Sequence, residues 1–273
     1  MNNILENLNP EQLSAITHES GPLLIVAGAG TGKTTVITRR IAWLIMEQGI
    51  KPDDILALTF TNKAAAEMEE RVDKLLPYGY VDLWVSTFHT FCQRVLEAHA
   101  LDIGLPNDIE LLDETGQWLL VRENFNKFDL DYYRPGNNPT KFIRVLLSHF
   151  SKLTAEEIAP EKYLEYAEGL IASGDDMEAS GGKSKKSFKL RVSSHEKEKE
   201  GIDPEEIKRI VEVANAYHVY QQLLLEKSKM DFGDLINYVL KLFRERPNIL
   251  KKYQQQFKYI LVDEFQDTNW AQY

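Results

Sequence analysis

Two stretches of this chain combine residue types that can hold a phosphate group and a divalent metal ion. The first, P-L-L-I-V-A-G-A-G-T-G-K-T-T at residues 22–35, places glycines, a lysine and hydroxyls directly after an apolar run. The second, Y-I-L-V-D-E-F-Q-D-T-N at residues 259–269, places two adjacent carboxylates after another apolar run. A lysine suits the phosphates of a nucleoside triphosphate, and hydroxyl and carboxylate oxygens suit Mg²⁺. The two stretches therefore indicate an ATP-using enzyme, or the ATP-binding half of one.

The glycine-rich segment A-G-A-G-T-G-K-T at residues 27–34 resembles the phosphate-binding P-loop, with alanine in place of the usual first glycine. Glycines permit positive φ and a close approach of the backbone to a phosphate, which the N–H groups of the next helix also face. Lys33 is expected to reach the β- and γ-phosphates, and the Thr34 hydroxyl to bind Mg²⁺. The amide of Gln12 offers a donor and an acceptor that match adenine. The predicted nucleotide-contacting residues are Gln12, Ala27, Gly28, Ala29, Gly30, Thr31, Gly32, Lys33, Thr34 and Thr35.

The acidic stretch places Asp263 and Glu264 directly after a predicted strand. Ligands of parallel sheets bind where the strands end, so both carboxylates are expected at that edge. Asp263 is expected to hold Mg²⁺, and Glu264 to orient and deprotonate the attacking water. An ordinary acidic turn after a strand is the alternative, and the phosphate loop in the same chain favours the catalytic interpretation.

The elements that must position these residues follow from the apolar pattern. Apolar runs at 23–27, 55–60, 83–86 and 257–262 predict strands, and helices are predicted between them, one from Lys33 to Gln48 ending before Gly49. Runs that are apolar throughout are typical of a parallel sheet covered by helices on both faces. Between Asp113 and Leu242 the periodicity is helical, with Asp203 as the cap of one helix. The predicted fold is an α/β sheet interrupted by an all-helical block.

Composition narrows the class of protein. The chain has 273 residues, a net charge of −10 and a single cysteine, Cys92. The acidic balance argues mildly against a simple nucleic-acid-binding domain, although a local basic groove is compatible with it. One cysteine excludes an intramolecular disulfide and fits a cytoplasmic protein, and the histidines lack zinc-ligand spacing. No apolar run approaches the ~18 residues that span a bilayer, and the polar N-terminus does not match a signal peptide.

Taken together, these motifs resemble those of superfamily 1 DNA helicases of the UvrD/Rep/PcrA type. L-N-P-E-Q at 8–12 is similar to the Q-motif, the glycine-rich segment to motif I, and L-T-F-T-N-K-A-A-A-E-M at 58–68 to motif Ia. V-S-T-F-H-T-F at 85–91 is similar to motif Ib, and V-D-E-F-Q-D-T-N at 262–269 to motif II. M-D-F-G-D-L at 230–235 matches a segment that in this family returns the chain to the first motor domain.

The resemblance implies a RecA-like P-loop NTPase that uses ATP and Mg²⁺ to move 3′ to 5′ along single-stranded DNA and to unwind duplexes. It implies single-stranded DNA and single-strand/duplex junctions as partners, and a role for Gln266 in coupling the γ-phosphate to the DNA-binding face. The residues it implies at the DNA are Phe60, Thr61, Asn62, Thr87, Phe88, His89 and Phe232. An aromatic ring there can stack a base for ~1–3 kcal/mol. Core packing is the alternative for the three phenylalanines.

The implied domains are a RecA-like motor domain at 1–91 and 229–273 and a helical inserted subdomain at 92–228. Residues 173–201 are rich in Gly, Ser and charge and predict a flexible loop, with a basic DNA-contacting loop as the alternative. The family continues past the position of Tyr273 with a second RecA-like domain, so we expect an N-terminal portion of a helicase. Alone it should bind nucleotide and single strands weakly, show little ATPase and no unwinding, and be poorly soluble because a sheet edge is uncovered.

Two other functions stay open. One is a non-catalytic module that binds ATP and single-stranded DNA and regulates a partner; the complete set of motor residues on this side disfavours it. The other is the motor portion of a recombinational helicase–nuclease, which carries similar ATP motifs. The closely spaced motif Ia and the modest insertion favour the UvrD type.

Overall fold

The computed structural model describes residues 4–28, 30–77, 83–106, 108–179 and 203–273. By its contacts the chain divides into two compact units: unit 1, Met1–Asn107 with Leu235–Tyr273, and unit 2, Asp108–Asp234. These borders differ from the domain borders set at residues 92 and 228 from the sequence. The domain borders at residues 92 and 228 stay a prediction.

Unit 1 has a mixed helix-and-sheet architecture that is built on a three-stranded parallel sheet. Its strands are β1 (Ile55–Thr59), β2 (Trp84–Thr87) and β5 (Tyr259–Val262), in the order β2-β1-β5. β3 (Glu110–Leu111) and β4 (Lys229–Met230) form a separate parallel pair in unit 2. The helices, in chain order, are α1 (Pro10–Ile16), α2 (Lys33–Met46), α3 (Asn62–Leu75), α4 (Phe88–His99), α5 (Glu114–Glu123), α6 (Ile143–Ala155), α7 (Pro160–Ala179), α8 (Pro204–Glu226), α9 (Phe232–Glu245) and α10 (Pro247–Gln256).

The core of unit 1 lies between the sheet and its helices. Every residue of β1 is buried, as the sequence pattern requires for a central strand covered on both faces. Ile41 and Leu44 of α2 pack in the same cluster as Met68 and Val72 of α3, all of them fully buried. Arg40 is also buried, and its guanidinium donates to the carbonyls of Ala15 and Ile16, which ties α2 to the end of α1.

One predicted strand is wrong. Residues 23–27 are not in the sheet, although the run is apolar throughout. Leu24 is 74% exposed and Val26 88% exposed, and the sheet in the described part of the chain consists of β2, β1 and β5. The segment nevertheless leads directly into the glycine-rich loop and α2.

Unit 2 is mainly helical around one core. Tyr217, Tyr220 and Leu224 of α8 are buried together with Phe150 of α6, and the rings of Phe150 and Tyr220 stack at 5.4 Å. Asp203 caps α8 through the backbone N–H of Glu205, as the sequence predicts. α7 extends to Ala179, past residue 173 where a loop was predicted. The rest of that predicted loop, at 180–201, lies outside the described residues.

The short pair β3–β4 was not predicted, and it brings the beginning and the end of unit 2 side by side. Glu110 N–H donates to the Ser228 carbonyl and Leu112 N–H to that of Met230, at 2.9 and 2.8 Å. The Lys229 ammonium lies 2.6 Å from the Glu110 carboxylate. In the part of the chain that the structure describes, no helix is long and apolar enough to cross a membrane.

Candidate nucleotide-binding site

The three strands of the sheet end at a common edge. Leu58 pairs with Val262 and Thr59 with Thr87 in two parallel ladders, so the residues that follow the strands emerge together. Asp263 follows β5 at this edge, and its N–H donates to the Leu58 carbonyl at 2.9 Å. Such edges are where ligands bind in open parallel sheets.

The phosphate loop shows the backbone geometry that its glycines permit. Gly30 and Gly32 have φ of 76° and 90°, which other residues rarely adopt. Gly32 is the N-cap of α2, and no side chain caps the first turn. The N–H groups at the start of α2 therefore have no side-chain acceptor there, an arrangement that suits an anion. Thr34 and Thr35 lie in this first turn, half-buried, and Ala29 lies outside the described residues.

Gln12 contacts the phosphate loop directly. Its Nε2 donates to the Thr31 carbonyl at 3.1 Å, and its Oε1 accepts from the Asn9 N–H at 3.2 Å. The Asn9 side chain in turn accepts from the Gln12 N–H, which closes a capping box at the start of α1. Both groups of the amide that were expected at adenine are thus engaged by the protein in this structure.

Lys33 and Glu264 meet at the sheet edge. The Lys33 Nζ lies 3.6 Å from the Glu264 Oε1 and 3.5 Å from the Ala27 carbonyl. Glu264 has φ of 49° and ψ of 44°, an unusual conformation for a residue with a side chain. Gln266 donates to the other Glu264 oxygen at 2.5 Å. The sequence motifs that carry the lysine and the carboxylate are therefore brought together.

Asp263 is the buried member of the acidic pair, with 6% of its surface exposed. Burial raises the pKa of Asp263, and the neighbouring Glu264 charge raises it further; the Lys33 ammonium acts in the opposite direction. Its Oδ1 accepts from the Glu264 N–H at 3.1 Å. A buried carboxylate beside a second carboxylate is stabilised by a nearby positive charge, which a divalent cation can supply.

The residues expected at DNA after β1 and β2 occupy the same edge. Thr61 and Thr87 act as N-caps of α3 and α4, accepting from the N–H groups of Ala64 and Thr90 at 3.1 Å each. Phe88 is buried, and its ring lies 5.7 Å from that of Phe60, which is half-buried. Asn62 is exposed at the start of α3. Phe60 and Asn62 thus offer more free surface than Phe88.

His89, at the start of α4, is half-buried, and burial lowers the pKa of its imidazole. The ring is therefore biased toward its neutral form. Phe232 belongs to unit 2, where 46% of its surface is exposed.

Comparison with known proteins decides the family. The model of the UvrD/REP helicase N-terminal domain matches residues 8–273. The chain belongs to this family. Over all 273 residues it is 37% identical to the ATP-dependent DNA helicase PcrA of Bacillus subtilis, and it covers 31% of that relative. It is 34% identical to the proteins of the same name in Staphylococcus aureus and Staphylococcus epidermidis, again over 31% of each. The chain thus spans about a third of the length of the curated relatives it matches.

One cluster in this UvrD/REP-type chain was not predicted from the sequence. Asp231 and Asp234 flank Phe232 and are buried, with 6% and 5% exposed. Each accepts the backbone N–H of the other, at 2.9 and 3.0 Å, while Tyr220 donates to Asp231 and Gln221 to Asp234. Burial, and then the Asp231 charge, raise the pKa of Asp234 to about 8. The D-x-x-D spacing, typical of a helix-capping box, was the available signal.

Proposed function

We propose that this chain is the ATP-binding motor portion of an ATP-dependent DNA helicase, in which ATP hydrolysis drives translocation on single-stranded DNA and duplex unwinding. The proposal rests on one observation: the ammonium of Lys33 and the carboxylate of Glu264 lie 3.6 Å apart at the sheet edge where the glycine-rich loop and β5 end. Membership of the UvrD/REP family supports it. In this proposal unit 1 is a RecA-like domain and unit 2 is inserted into it.

The residues present fit a magnesium-bound nucleoside triphosphate. The positive φ angles of Gly30 and Gly32 allow the backbone to approach a phosphate, and the uncapped start of α2 faces it with N–H groups. Asp263 and the Thr34 hydroxyl are oxygen ligands of the kind that Mg²⁺ prefers. When bound, the metal neutralises charge on the β- and γ-phosphate oxygens.

Each side chain at the site has a distinct task in the proposed reaction. Lys33 leaves Glu264 to bind the phosphates, because a triphosphate offers more negative charge than one carboxylate. Glu264, freed from the ammonium, orients the attacking water and takes its proton. Gln266 donates a hydrogen bond to Glu264 at 2.5 Å. When the Glu264 carboxylate changes its contacts, Gln266 moves with it and affects the neighbouring residues at the sheet edge. Gln12 fixes the loop through the Thr31 carbonyl.

Single-stranded DNA is proposed to lie along the same edge, across the residues that follow β1 and β2. Phe60 offers a partly exposed ring for stacking, and the ring of Phe88 packs against it at 5.7 Å. Asn62 and Thr61, both exposed at the start of α3, supply polar groups for the backbone of the strand. Because both ligands are proposed to bind at one edge of the sheet, a structural change at the nucleotide can pass directly to the residues that contact DNA.

The test is DNA-stimulated ATP hydrolysis by the full-length gene product carrying Lys33→Ala or Glu264→Gln. Glu264→Gln should lower turnover by ~10²–10⁴-fold, the usual contribution of a general base, while nucleotide binding persists. Lys33→Ala should weaken nucleotide binding as well. Lys51→Ala and Glu19→Gln remove one exposed charge of each sign elsewhere in unit 1 and should behave as wild type.

Unchanged turnover in Glu264→Gln would remove the glutamate from the mechanism. Turnover that is normal in both variants would refute the assignment of the site. A protein that binds ATP and single-stranded DNA but never hydrolyses ATP would instead support a regulatory module.

A further inference from the structure

The helix that carries Gln12 is short and depends on the rest of unit 1 for its position. α1 (Pro10–Ile16) has 7 residues, whereas a helix needs ~12–15 to be stable alone in water. Its first turn is closed by the capping box of Asn9 and Gln12. The Gln12 amide also donates to the Thr31 carbonyl of the phosphate loop at 3.1 Å. A shift of α1 along its axis would therefore move Gln12 relative to the loop.

The other end of α1 is held by the guanidinium of Arg40. Its Nη1 donates to the carbonyls of Ala15 and Ile16, at 3.1 and 3.0 Å. These are two of the last four carbonyls of the helix, which have no partner within it. Leu13 supplies a third, which accepts from the N–H of Thr17 at 3.0 Å. A cation at this end also interacts favourably with the helix dipole.

Arg40 is a buried cation, with 8% of its surface exposed. The salt bridges among the described residues do not include it, so the two carbonyls are the acceptors that the structure shows for this charge. Burial lowers the pKa of Arg40, and the guanidinium stays charged because an arginine ordinarily titrates far above neutral pH. Displacing α1 would leave a buried charge without acceptors, which is costly. The contact therefore resists movement of the helix.

Arg40 and Lys33 belong to the same helix, α2, which begins at the phosphate loop. Arg40 comes about two turns after Lys33, or ~10.5 Å along the axis at ~1.5 Å per residue. α1 thus contacts the loop and α2 at two separate points, through Gln12 at the loop and through its last carbonyls at Arg40. Two contacts on one short helix fix its orientation as well as its position.

Arg39 offers a comparison within the same helix. Its Nη1 donates to the carbonyls of Ile4 and Glu6, at 2.9 and 2.6 Å, in the segment before α1. Two consecutive arginines of α2 therefore each bind two backbone carbonyls. Of the two, Arg40 holds the helix that carries Gln12.

We propose that Arg40 is a positioning residue for the nucleotide: by holding the last carbonyls of α1 it keeps the Gln12 amide on the Thr31 carbonyl, and so sets the affinity of the phosphate loop for ATP. The inference rests on the proposed function, because it assigns a further residue to the same nucleotide site. Arg40 itself lies away from the nucleotide and acts through Gln12.

The first measurement is DNA-stimulated ATP hydrolysis by the full-length gene product carrying Arg40→Met, which removes the donors and keeps an unbranched side chain. KM for ATP should rise by about 2- to 13-fold, the equivalent of the one Gln12 hydrogen bond that is lost, and kcat should stay within about 2-fold of wild type. Arg40→Lys retains the charge on a shorter side chain and should raise KM less. Arg39→Met is the matched control, and it should leave both constants unchanged.

A double-mutant cycle shows whether Arg40 acts through Gln12. Titration of the full chain with a fluorescent ATP analogue and Mg²⁺ gives Kd for wild type, Gln12→Ala, Arg40→Met and the double variant. Arg40→Met should weaken binding in the wild-type chain and have no further effect in Gln12→Ala. If circular dichroism shows that Arg40→Met does not fold, Arg40→Lys takes its place in the cycle, with the same pattern and a smaller factor.

Three results would overturn the proposal. Factors that multiply in the double variant would show that Arg40 acts independently of Gln12. A lower kcat with an unchanged KM would indicate a smaller fraction of folded enzyme and a purely structural role. An equal rise of KM in Arg39→Met would show that any tether of the N-terminal segment has the same effect.

The proposed function is read separately, from ATP turnover in Glu264→Gln. If this variant loses turnover while Arg40→Met behaves as wild type, the role of Arg40 is refuted and the proposed function stands. If turnover does not depend on Glu264, the proposed function fails, and the Kd cycle still decides the role of Arg40.

Discussion

The side-chain amide of Gln12 donates a hydrogen bond to the backbone carbonyl of Thr31, with 3.1 Å between nitrogen and oxygen. A Cβ added at Gly32 would lie 3.2 Å from the same nitrogen, so α1 and the phosphate loop are in close contact. The contact couples the residue expected to read adenine to the loop expected to hold the phosphates. We therefore expect the Gln12–Thr31 hydrogen bond to act first on the conformation of the loop, whichever base is bound.

Gln12→Ala should weaken nucleotide binding by about 2- to 13-fold, the equivalent of one hydrogen bond of ~0.5–1.5 kcal/mol. The loss should be the same for ATP and GTP, because the hydrogen bond acts on the loop and not on the base. Fluorescence titration with labelled ATP and GTP analogues measures both. Asn9→Ala is the matched control, since it removes the cap of α1 and retains the Gln12 amide. A loss confined to ATP would instead indicate a direct contact with adenine.

Stability should depend on pH through Asp234. Burial and Asp231 raise the pKa of Asp234 to about 8, whereas an unfolded aspartate titrates at ~3.9. Between these values the folded state keeps a proton that the unfolded state has lost. This stabilisation is complete below the unfolded pKa, and it is lost as pH rises through the folded pKa, by up to ~1.4 kcal/mol per pH unit.

Asp234→Asn should flatten this slope, which urea unfolding between pH 4 and ~8 measures as a difference from wild type. Glu165→Gln, at an exposed position of α7, controls for the loss of one carboxylate and should keep the wild-type slope. Identical slopes in wild type and Asp234→Asn would mean that Asp234 does not hold the proton in the folded state, because burial raises the pKa of its partner Asp231 as well.

Gly233 should tolerate no side chain. In Gly233→Ala the new methyl group would lie 2.7 Å from Thr154 Cγ2 and 3.2 Å from its Cβ, within a buried contact. We expect a loss of ~1–3 kcal/mol in the free energy of unfolding, the usual cost of overpacking. Gly169→Ala in α7 meets nothing within 4 Å and should stabilise by up to ~1 kcal/mol, because alanine is the better helix former.

A double-mutant cycle identifies the clash as the cause. Thr154→Ser removes the methyl group and retains the hydroxyl, which donates to the Phe150 carbonyl and lies 3.2 Å from the Tyr217 hydroxyl. Combined with Gly233→Ala it should recover part of the lost stability, since the Thr154 Cβ remains close. Strict additivity of the two changes would show that the contact is relaxed in solution.

The parts of the candidate nucleotide site could be predicted from the sequence because they are local motifs, and a general rule places some of them together. The glycines before Lys33 and the carboxylates after β5 each have a recognisable pattern, and parallel strands bring their ends to one edge. The position of Glu264 follows from this rule, whereas the 3.6 Å approach of Lys33 to it does not, because the segment before the phosphate loop lies outside the sheet. The left-handed backbone of Glu264 does not follow from the rule either, because it depends on the turn that the chain makes after β5.

Other features depend on pairing between distant segments, which no local pattern reveals. Residues 23–27 have the composition of a strand, but a strand also needs a neighbour, and Val26 is 88% exposed. The pair β3–β4 is the opposite case, because it is present in the structure and was not predicted. Two residues in each strand are too few for an apolar pattern. A cavity of about 660 Å³ between α5, α6 and the start of α9 likewise exists only once these helices have packed.

The β3–β4 pair has an evolutionary consequence. Because the two ends of unit 2 are clamped beside each other, the intervening sequence can grow, shrink or be exchanged without displacing the chain on either side. Differences in length between relatives should therefore accumulate between Leu111 and Lys229, and a transplanted unit should retain its fold in a new host.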